Sequence, residues 1–257
     1  FGITDSKQFV YPSFVRLGQE AASLIHKACD SAAQESTYSS PKRYLWDDKP
    51  NKKEWEFLVL PGESKSHILN VKGLSSYLRS DGRVDMTGTE GGRSSYYSRR
   101  TLMTFAFLEM IVQAESQINS EKYRKDYGWL TAPRKISRII VTCPTAMSKI
   151  EREALIHCAK DAVALSRKFK GVDAKDTIEV VPSFRSMRDE EGAWYYDEAS
   201  CAQLVYIYGE IGYKYKGVCS EFFNLYGKQT AGQSQPTLTV ASFDIGAGTS
   251  DLMISQY

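Results

Sequence analysis

The sequence lacks the features that mark a membrane protein, a zinc protein or a nucleic-acid-binding protein. No stretch of about 18 consecutive apolar residues is present, so we expect no membrane span. Lys and Arg together number 33 and Asp and Glu 31, so the net charge is only +2. That balance provides no field to attract nucleic acid, and we expect no nucleic-acid partner. The three histidines lie far apart, and none has a second ligand at zinc spacing.

Cysteine is also scarce. The five cysteines form no C-x-x-C pair and their number is odd, which favours reduced thiols in a cytoplasmic protein. The chain starts with Phe1-Gly-Ile-Thr-Asp, which is neither an initiating Met nor a signal peptide. We therefore expect a piece of a longer cytoplasmic protein.

Length and composition are those of a globular chain with one large or two moderate domains. The 257 residues are 42 % hydrophobic and 25 % charged. The apolar stretch at 101–119 has no Gly or Pro and predicts a helix buried on most faces, with Ser98 as its N-cap. Further along, alternating patterns predict strands at 136–143, 177–181, 237–243 and 252–257, and helices after Ser148 and at 198–213. This order is typical of an α/β fold.

Three polar stretches separate these elements. Residues 80–98 are rich in Gly, Ser and Arg and predict an exposed loop. Arg93, Arg99 and Arg100 lie beside tyrosines, but the near-zero net charge favours solvated arginines over a nucleic-acid surface. The polar residues 122–135 predict a domain boundary, and 214–236 predict a polar connection.

The turn between the last two predicted strands carries the residues best suited to chemistry, and it runs from Asp244 to Asp251. Gly246 and Gly248 lack a Cβ and can adopt positive φ, so backbone N–H groups can approach an anion. Thr249 adds a hydroxyl donor. The two aspartates suit Mg²⁺ held with its waters. Phosphate donors beside a Mg²⁺ site indicate a nucleotide polyphosphate.

A simpler interpretation of this turn stays open, because a glycine-rich hairpin with two solvated aspartates has the same spacing. A Walker loop is excluded by the absence of Gly-Lys-Ser/Thr. A dinucleotide-binding fingerprint would require Gly in place of Asp251 and a helix, not a strand, after it.

The turn also carries a resemblance. Ser242-Phe-Asp-Ile-Gly-Ala-Gly-Thr-Ser-Asp-Leu resembles the second phosphate motif of the actin/Hsp70/sugar-kinase ATPase superfamily, in its Hsp70 form. Asp197-Glu-Ala-Ser-Cys-Ala resembles the Hsp70 connecting motif, with Ala199 in place of Pro. Tyr11-Pro-Ser-Phe-Val and Pro41-Lys-Arg-Tyr-Leu resemble earlier Hsp70 segments. The motifs keep their order across nearly the whole chain, and this collinearity is more specific than any one of them.

Within that superfamily, the chain is most similar to the bacterial SrfB-type virulence-factor family. The similarity is carried by residues 39–47, 99–107 and 141–147. The family name describes a phenotype and not a biochemical activity.

The resemblance implies an actin-like ATPase (ribonuclease H-like) fold. The chain would form one α/β lobe with an Hsp70-like inserted α+β subdomain, followed by the first β-hairpin of a second lobe. The expected domains are 1–132 for the inserted-subdomain region, 133–217 for the α/β core with its connecting helix, and 218–257 for the linker and hairpin. The superfamily's first phosphate motif is expected before this chain, and its adenosine-binding segment after it.

The resemblance also implies ATP and Mg²⁺ as cofactors. The positions that would bind the β- and γ-phosphates are Gly246, Ala247, Gly248 and Thr249. The positions that would hold Mg²⁺ and its waters are Asp244 and Asp251. The catalytic positions are Asp244, Glu198, which would orient the attacking water, and Lys42, which would contact the γ-phosphate. An ordinary role stays open for each of the last two residues. Glu198 could serve only to cap its helix, and Lys42 could be a solvated lysine.

Other functions also stay open. A non-catalytic actin-like scaffold would bind nucleotide, or nothing, as a switch for a virulence-associated protein partner. A phosphotransferase would need an acidic base in the other lobe and a substrate pocket. A Rossmann-type oxidoreductase is disfavoured by the strand after the glycine loop. We expect a protein partner or client of unknown identity, and residues 61–98 are the candidate surface for it.

Overall fold

The computed structural model describes residues 15–27, 37–50, 77–85, 97–128, 131–170, 178–183, 196–245 and 250–257. The chain divides into two compact units. We call Phe1–Ile139 with Ile150–Val181 the helical unit, and Ile140–Lys149 with Pro182–Tyr257 the hairpin unit. Most of the loop predicted at 80–98 lies outside the described residues.

The first part of the chain is mostly helical. In chain order its elements are α1 (Gly18–Lys27), a 3₁₀ helix (Pro41–Tyr44), α2 (Thr101–Ile118), α3 (Glu121–Asp126), β1 (Arg138–Ile140), α4 (Lys149–Lys170) and β2 (Glu179–Val181). β1 and β2 pair in a two-stranded sheet, and α4 connects them. The predicted strands at 136–143 and 177–181 therefore form, but only over their central or final residues. The short helix α3 lies where a polar boundary was predicted, and Ser120 caps it by accepting a hydrogen bond from the Tyr123 N–H.

The second part holds the remaining elements. They are α5 (Glu198–Lys214), α6 (Cys219–Tyr226), β3 (Thr239–Ile245) and β4 (Ser250–Gln256). β3 and β4 form an antiparallel hairpin. Helix α6 lies in the predicted polar connection, and its buried Phe222 contacts the rings of Tyr215 and Tyr226. No helix in the described part of the chain is long and apolar enough to cross a membrane.

Helix α2 is the centre of the helical unit, as its apolar composition predicts. Residues 101–109 and Ile111 are all buried. The Phe105 ring meets the buried Tyr97 ring edge-on, with centroids 6.0 Å apart. The prediction that Ser98 caps this helix is wrong. Arg100 occupies the N-cap without a side-chain hydrogen bond, and Ser98 lies two residues earlier with its Oγ 3.1 Å from the Thr101 Oγ1.

Helix α4 anchors the turn at 77–85. Asp161 accepts hydrogen bonds from the Arg83 Nε at 3.0 Å and from the Val84 N–H at 3.2 Å. Burial raises the pKa of Asp161, and the Arg83 guanidinium opposes that shift. Gly82 has a φ of +87°, and a Cβ there would lie 3.1 Å from Thr101, so the turn requires glycine.

Arg99 and Arg100 are not the solvated arginines that the sequence predicts. Arg99 forms an ion pair with Asp47 and lies over the Tyr44 and Trp46 rings. The Arg100 Nε donates to the Leu45 carbonyl at 2.6 Å. The two arginines therefore fasten residues 44–47 to the start of α2, a use that net charge alone does not reveal.

The described cysteines are consistent with reduced thiols. Cys143, Cys158, Cys201 and Cys219 form no disulfide. Cys143 and Cys158 are buried, whereas Cys201 is half-buried, and burial raises the pKa of Cys158 to about 11.

Candidate functional site

The β3–β4 hairpin places its two aspartates opposite each other. In the antiparallel register Asp244 pairs with Asp251, and Ile245 pairs with Ser250 as the last pair before the loop. The strands therefore run two residues further towards the loop than predicted, and both aspartates are strand residues. The four predicted phosphate-binding residues, Gly246, Ala247, Gly248 and Thr249, lie outside the described residues.

The N-terminus of α5 is fixed from two sides. Asp197 is the N-cap, and its Oδ1 accepts a hydrogen bond from the Ser200 N–H at 2.8 Å. The Glu198 N–H donates to the Cys143 carbonyl at 2.9 Å. The Thr145 hydroxyl reaches the same Asp197 oxygen at 3.4 Å. Residues at and just after the end of the predicted strand, Cys143 and Thr145, therefore hold the first turn of α5 in place.

Asp197, and not Glu198, caps the helix. Glu198 lies in the first turn of the helix and is half-buried. A carboxylate at this position is stabilised by the helix dipole whatever its function. The capping role that was left open for Glu198 is therefore replaced by this interaction with the helix dipole.

Helix α5 packs on the hairpin near its centre. The Ser200 Oγ lies 3.3 Å from the Met253 Sδ. One turn later, Gln203 contacts Ser242 and Met253, which pair with each other, and also Tyr257, which follows β4. Both turns of α5 therefore meet the hairpin at the Ser242–Met253 pair, two residues from Asp244 and Asp251.

Gln203 makes the closest polar contacts between the helix and both strands. Its side chain is buried, and its Nε2 lies 2.8 Å from the Ser242 Oγ, 3.4 Å from the Val240 carbonyl and 3.3 Å from the Met253 carbonyl. Its Oε1 accepts from the Tyr257 hydroxyl at 2.8 Å. The sequence prediction overlooked Gln203. The signal was present, because Ala199, Gln203 and Ile207 follow each other at four-residue spacing on the buried side of the helix.

The two faces of the hairpin differ. Val240, Ser242 and Met253 face α5 and are partly buried. Strand alternation puts Asp244 on the same face as Val240 and Ser242. The opposite face is apolar and exposed, with Phe243 74 % exposed and Ile245 83 % exposed. Asp244 therefore lies on the face that packs on α5 but is itself exposed.

Negative charge gathers at the start of α5. Burial raises the pKa of the Cys201 thiol, and the neighbouring Asp197 and Glu198 carboxylates raise it further. Within the described residues no group of three or more His, Cys, Asp or Glu side chains could hold a metal ion. A metal at the hairpin would therefore depend on at most two carboxylates and on oxygen ligands from elsewhere.

The predicted site residues do not all belong to one unit. Glu198, Asp244 and Asp251 belong to the hairpin unit, where α5 and the β3–β4 hairpin pack together. Lys42 belongs to the helical unit, in the 3₁₀ helix that follows Ser40, a residue with a φ of +51°. The structure thus places the three acidic residues of the predicted site in one unit and the predicted phosphate lysine in the other.

Comparison with known proteins identifies a family. No curated protein and no solved structure matches the chain. The family model described as "Virulence factor SrfB" matches residues 4–257, which is nearly the whole chain. The chain therefore belongs to the SrfB virulence-factor family.

Proposed function

We propose that the hairpin unit is part of a Mg-ATP site in an actin- or Hsp70-like ATPase domain, in which hydrolysis is coupled to the movement of two lobes. One observation carries the proposal most directly. Helix α5, with Glu198 in its first turn, packs on the hairpin at the Ser242–Met253 pair, two residues from the Asp244–Asp251 pair. The glycine-rich loop that resembles a phosphate motif connects those two strands. The resemblance in sequence and the packing of the helix thus support a site in the same unit.

The residues at this end fit a magnesium ion. Like charges at directly opposed strand positions destabilise a hairpin, and a cation relieves that repulsion. Mg²⁺ in nucleotide sites is held by one or two carboxylates, with waters and phosphate oxygens completing the shell. Asp244 and Asp251, which pair across the two strands, would supply two such carboxylates. The bound ion would neutralise charge on the phosphates, and the aspartates would orient its waters.

The loop and the helix would hold the phosphates and the water. Gly246 and Gly248 permit the close approach of backbone N–H groups to an anion. Glu198, in the first turn of α5, would orient the attacking water and accept its proton. Lys42 would supply a positive charge to the γ-phosphate.

The test uses the full-length protein that contains this chain. Mg-ATP affinity is measured by calorimetry and hydrolysis by single turnover, for the wild type, Asp244→Asn and Glu198→Gln. We expect Asp244→Asn to weaken Mg-ATP binding at least tenfold. We expect Glu198→Gln to bind Mg-ATP normally and to hydrolyse it roughly 100-fold more slowly, as for the loss of a positioned general base.

The matched control is Glu221→Gln. Glu221 is a first-turn glutamate too, but on α6, and it is exposed. This variant should bind and hydrolyse Mg-ATP as the wild type does. If the wild type binds Mg-ATP but does not hydrolyse it, the protein is a nucleotide-gated scaffold and not an ATPase. If the wild type does not bind Mg-ATP, the proposed function is wrong.

A further inference from the structure

The contacts of Gln203 differ from ordinary helix–sheet packing. A helix usually packs on a hairpin through apolar side chains, but here a buried amide lies at the interface. Gln203 bonds β3 through Ser242 and Val240, and β4 through Met253. One side chain thus touches both strands of the hairpin.

The orientation of this amide is determined by its partners. The Val240 and Met253 carbonyls can only accept hydrogen bonds, so the NH₂ group must face them. The Oε1 is then left to accept from the Tyr257 hydroxyl, at 2.8 Å. A buried amide with partners on both ends has one low-energy position, because any shift leaves a buried carbonyl or amide unsatisfied.

The position of Gln203 relative to the candidate site is also defined. Gln203 lies five residues after Glu198 on a rigid helix, and Ser242 lies two residues before Asp244 on a strand. The bond between Gln203 and Ser242 therefore lies about 1.4 helical turns from Glu198 and one strand repeat from Asp244. A change in this bond would displace Glu198 relative to Asp244 without removing either residue.

We propose that Gln203 is a positioning residue. By bonding both strands at once, it fixes where the N-terminus of α5, with Glu198, lies relative to the Asp244–Asp251 end of the hairpin. Gln203 itself touches neither nucleotide nor metal. This inference rests on the proposed ATP site, since it assigns the geometry of that site to a residue outside it.

The test compares Gln203→Met with Gln256→Met in the full-length protein. Met has nearly the volume of Gln but cannot make the hydrogen bonds. Gln256 is an exposed glutamine of the same hairpin, with its Nε2 3.0 Å from the Thr237 Oγ1. We expect Gln203→Met to keep the Mg-ATP affinity within about threefold and to lower the single-turnover rate roughly 10- to 100-fold, because a small misplacement of a catalytic group has an effect of that size. Gln256→Met should change neither.

Two milder variants guard against misfolding. Tyr257→Phe removes one bond to the Gln203 Oε1, and Ser242→Ala removes one bond to the Nε2. Each should lower the turnover rate less than Gln203→Met does, again with the affinity retained. A parallel loss of affinity and rate in all three variants would indicate a purely structural role and would overturn the proposal. Wild-type turnover in Gln203→Met would overturn it as well.

Amide hydrogen exchange without nucleotide separates the two proposals. We expect Gln203→Met to speed exchange in residues 198–202 and 239–256 and to leave α2 unchanged. Unchanged exchange in those residues would show that Gln203 does not hold the helix on the hairpin, whatever the wild type binds. If the wild type binds no Mg-ATP while exchange still rises, the proposed function has failed and the positional role of Gln203 stands.

Discussion

The elements within each of the two units are held together by a different kind of contact. In the helical unit, buried apolar side chains on α2 and α4 form a core that includes Phe105, Leu108, Leu155 and Leu165. In the described part of the hairpin unit, α5 is joined to the strands through Gln203 and Ser200, while Phe243 and Ile254 are exposed. Apolar burial is strong and non-directional, whereas hydrogen bonds are weaker but fix orientation.

This difference has a functional meaning. A unit whose elements must hold reacting groups at a set distance benefits from directional contacts, and the proposed site lies in that unit. The helical unit, with its larger core, supplies stability. The predictions below test whether stability and geometry are divided between the units in this way.

The largest difference is expected between two phenylalanines. Phe105→Ala empties part of the core of the helical unit and should lower the free energy of unfolding by about 3–5 kcal/mol. Phe243→Ala, on the exposed hairpin face, should change it by less than about 0.5 kcal/mol. Urea unfolding of both variants measures the difference. Equal losses would show that the exposed face of the hairpin is buried in solution.

Two glycines should respond with opposite signs. Gly82→Ala would need a positive φ and a Cβ 3.1 Å from Thr101, so it should destabilise the protein by about 1–2 kcal/mol or more. Gly209→Ala, inside α5 with nothing within 4 Å of the new Cβ, should stabilise it by about 0.5–1 kcal/mol. Thermal unfolding midpoints report both effects. A stabilised Gly82→Ala would contradict the described turn.

Two helix caps should differ in how much they contribute to the free energy of unfolding. Asp197→Ala removes a short bond to the Ser200 N–H and the contact with Thr145, and should lower the free energy of unfolding by about 1–2 kcal/mol. Ser120→Ala removes a longer, exposed bond to the Tyr123 N–H in the helical unit. Its loss should be about 0.5 kcal/mol. Urea unfolding compares the two variants. A larger loss of stability in Ser120→Ala would contradict the expectation that the Asp197 cap contributes more.

The smallest effect is a dependence on pH in the helical unit. Burial, with help from the Arg83 and Lys160 charges, lowers the pKa of His157 below its ordinary value of 6.5. The unfolded chain therefore binds a proton more readily than the folded one, and His157 reduces stability as the pH falls below 6.5. In His157→Gln the loss of stability between pH 7.5 and pH 5.5 should be smaller than in the wild type. An equal loss in both proteins would exclude this role of His157.

The strongly periodic elements were predictable from the sequence. The helix at 101–118 has no Gly or Pro and is apolar on most faces, so both its existence and its burial followed. The alternation in β3 and β4 likewise predicted the hairpin. The short helices α3 and α6 were missed, because their polar residues resemble loops and their formation depends on a cap at Ser120 or on the packing of Phe222.

The candidate site was predictable only in part. The motif around Asp244 and Asp251 is local in sequence, and so is the acidic start of α5. The contact between Gln203 and Ser242 joins residues 39 positions apart, and no local pattern encodes such a pair. Arg99 was misassigned for the same reason, because its partner Asp47 lies 52 residues earlier.

The apolar outer face of the hairpin has a consequence for protein production. Phe243, Ile245, Leu252 and Ile254 form a continuous exposed surface on two paired strands. Such surfaces associate with each other at high concentration, and charged side chains on strands suppress that association. The yield of soluble protein, more than the stability of the fold, should therefore respond to substitutions on this face.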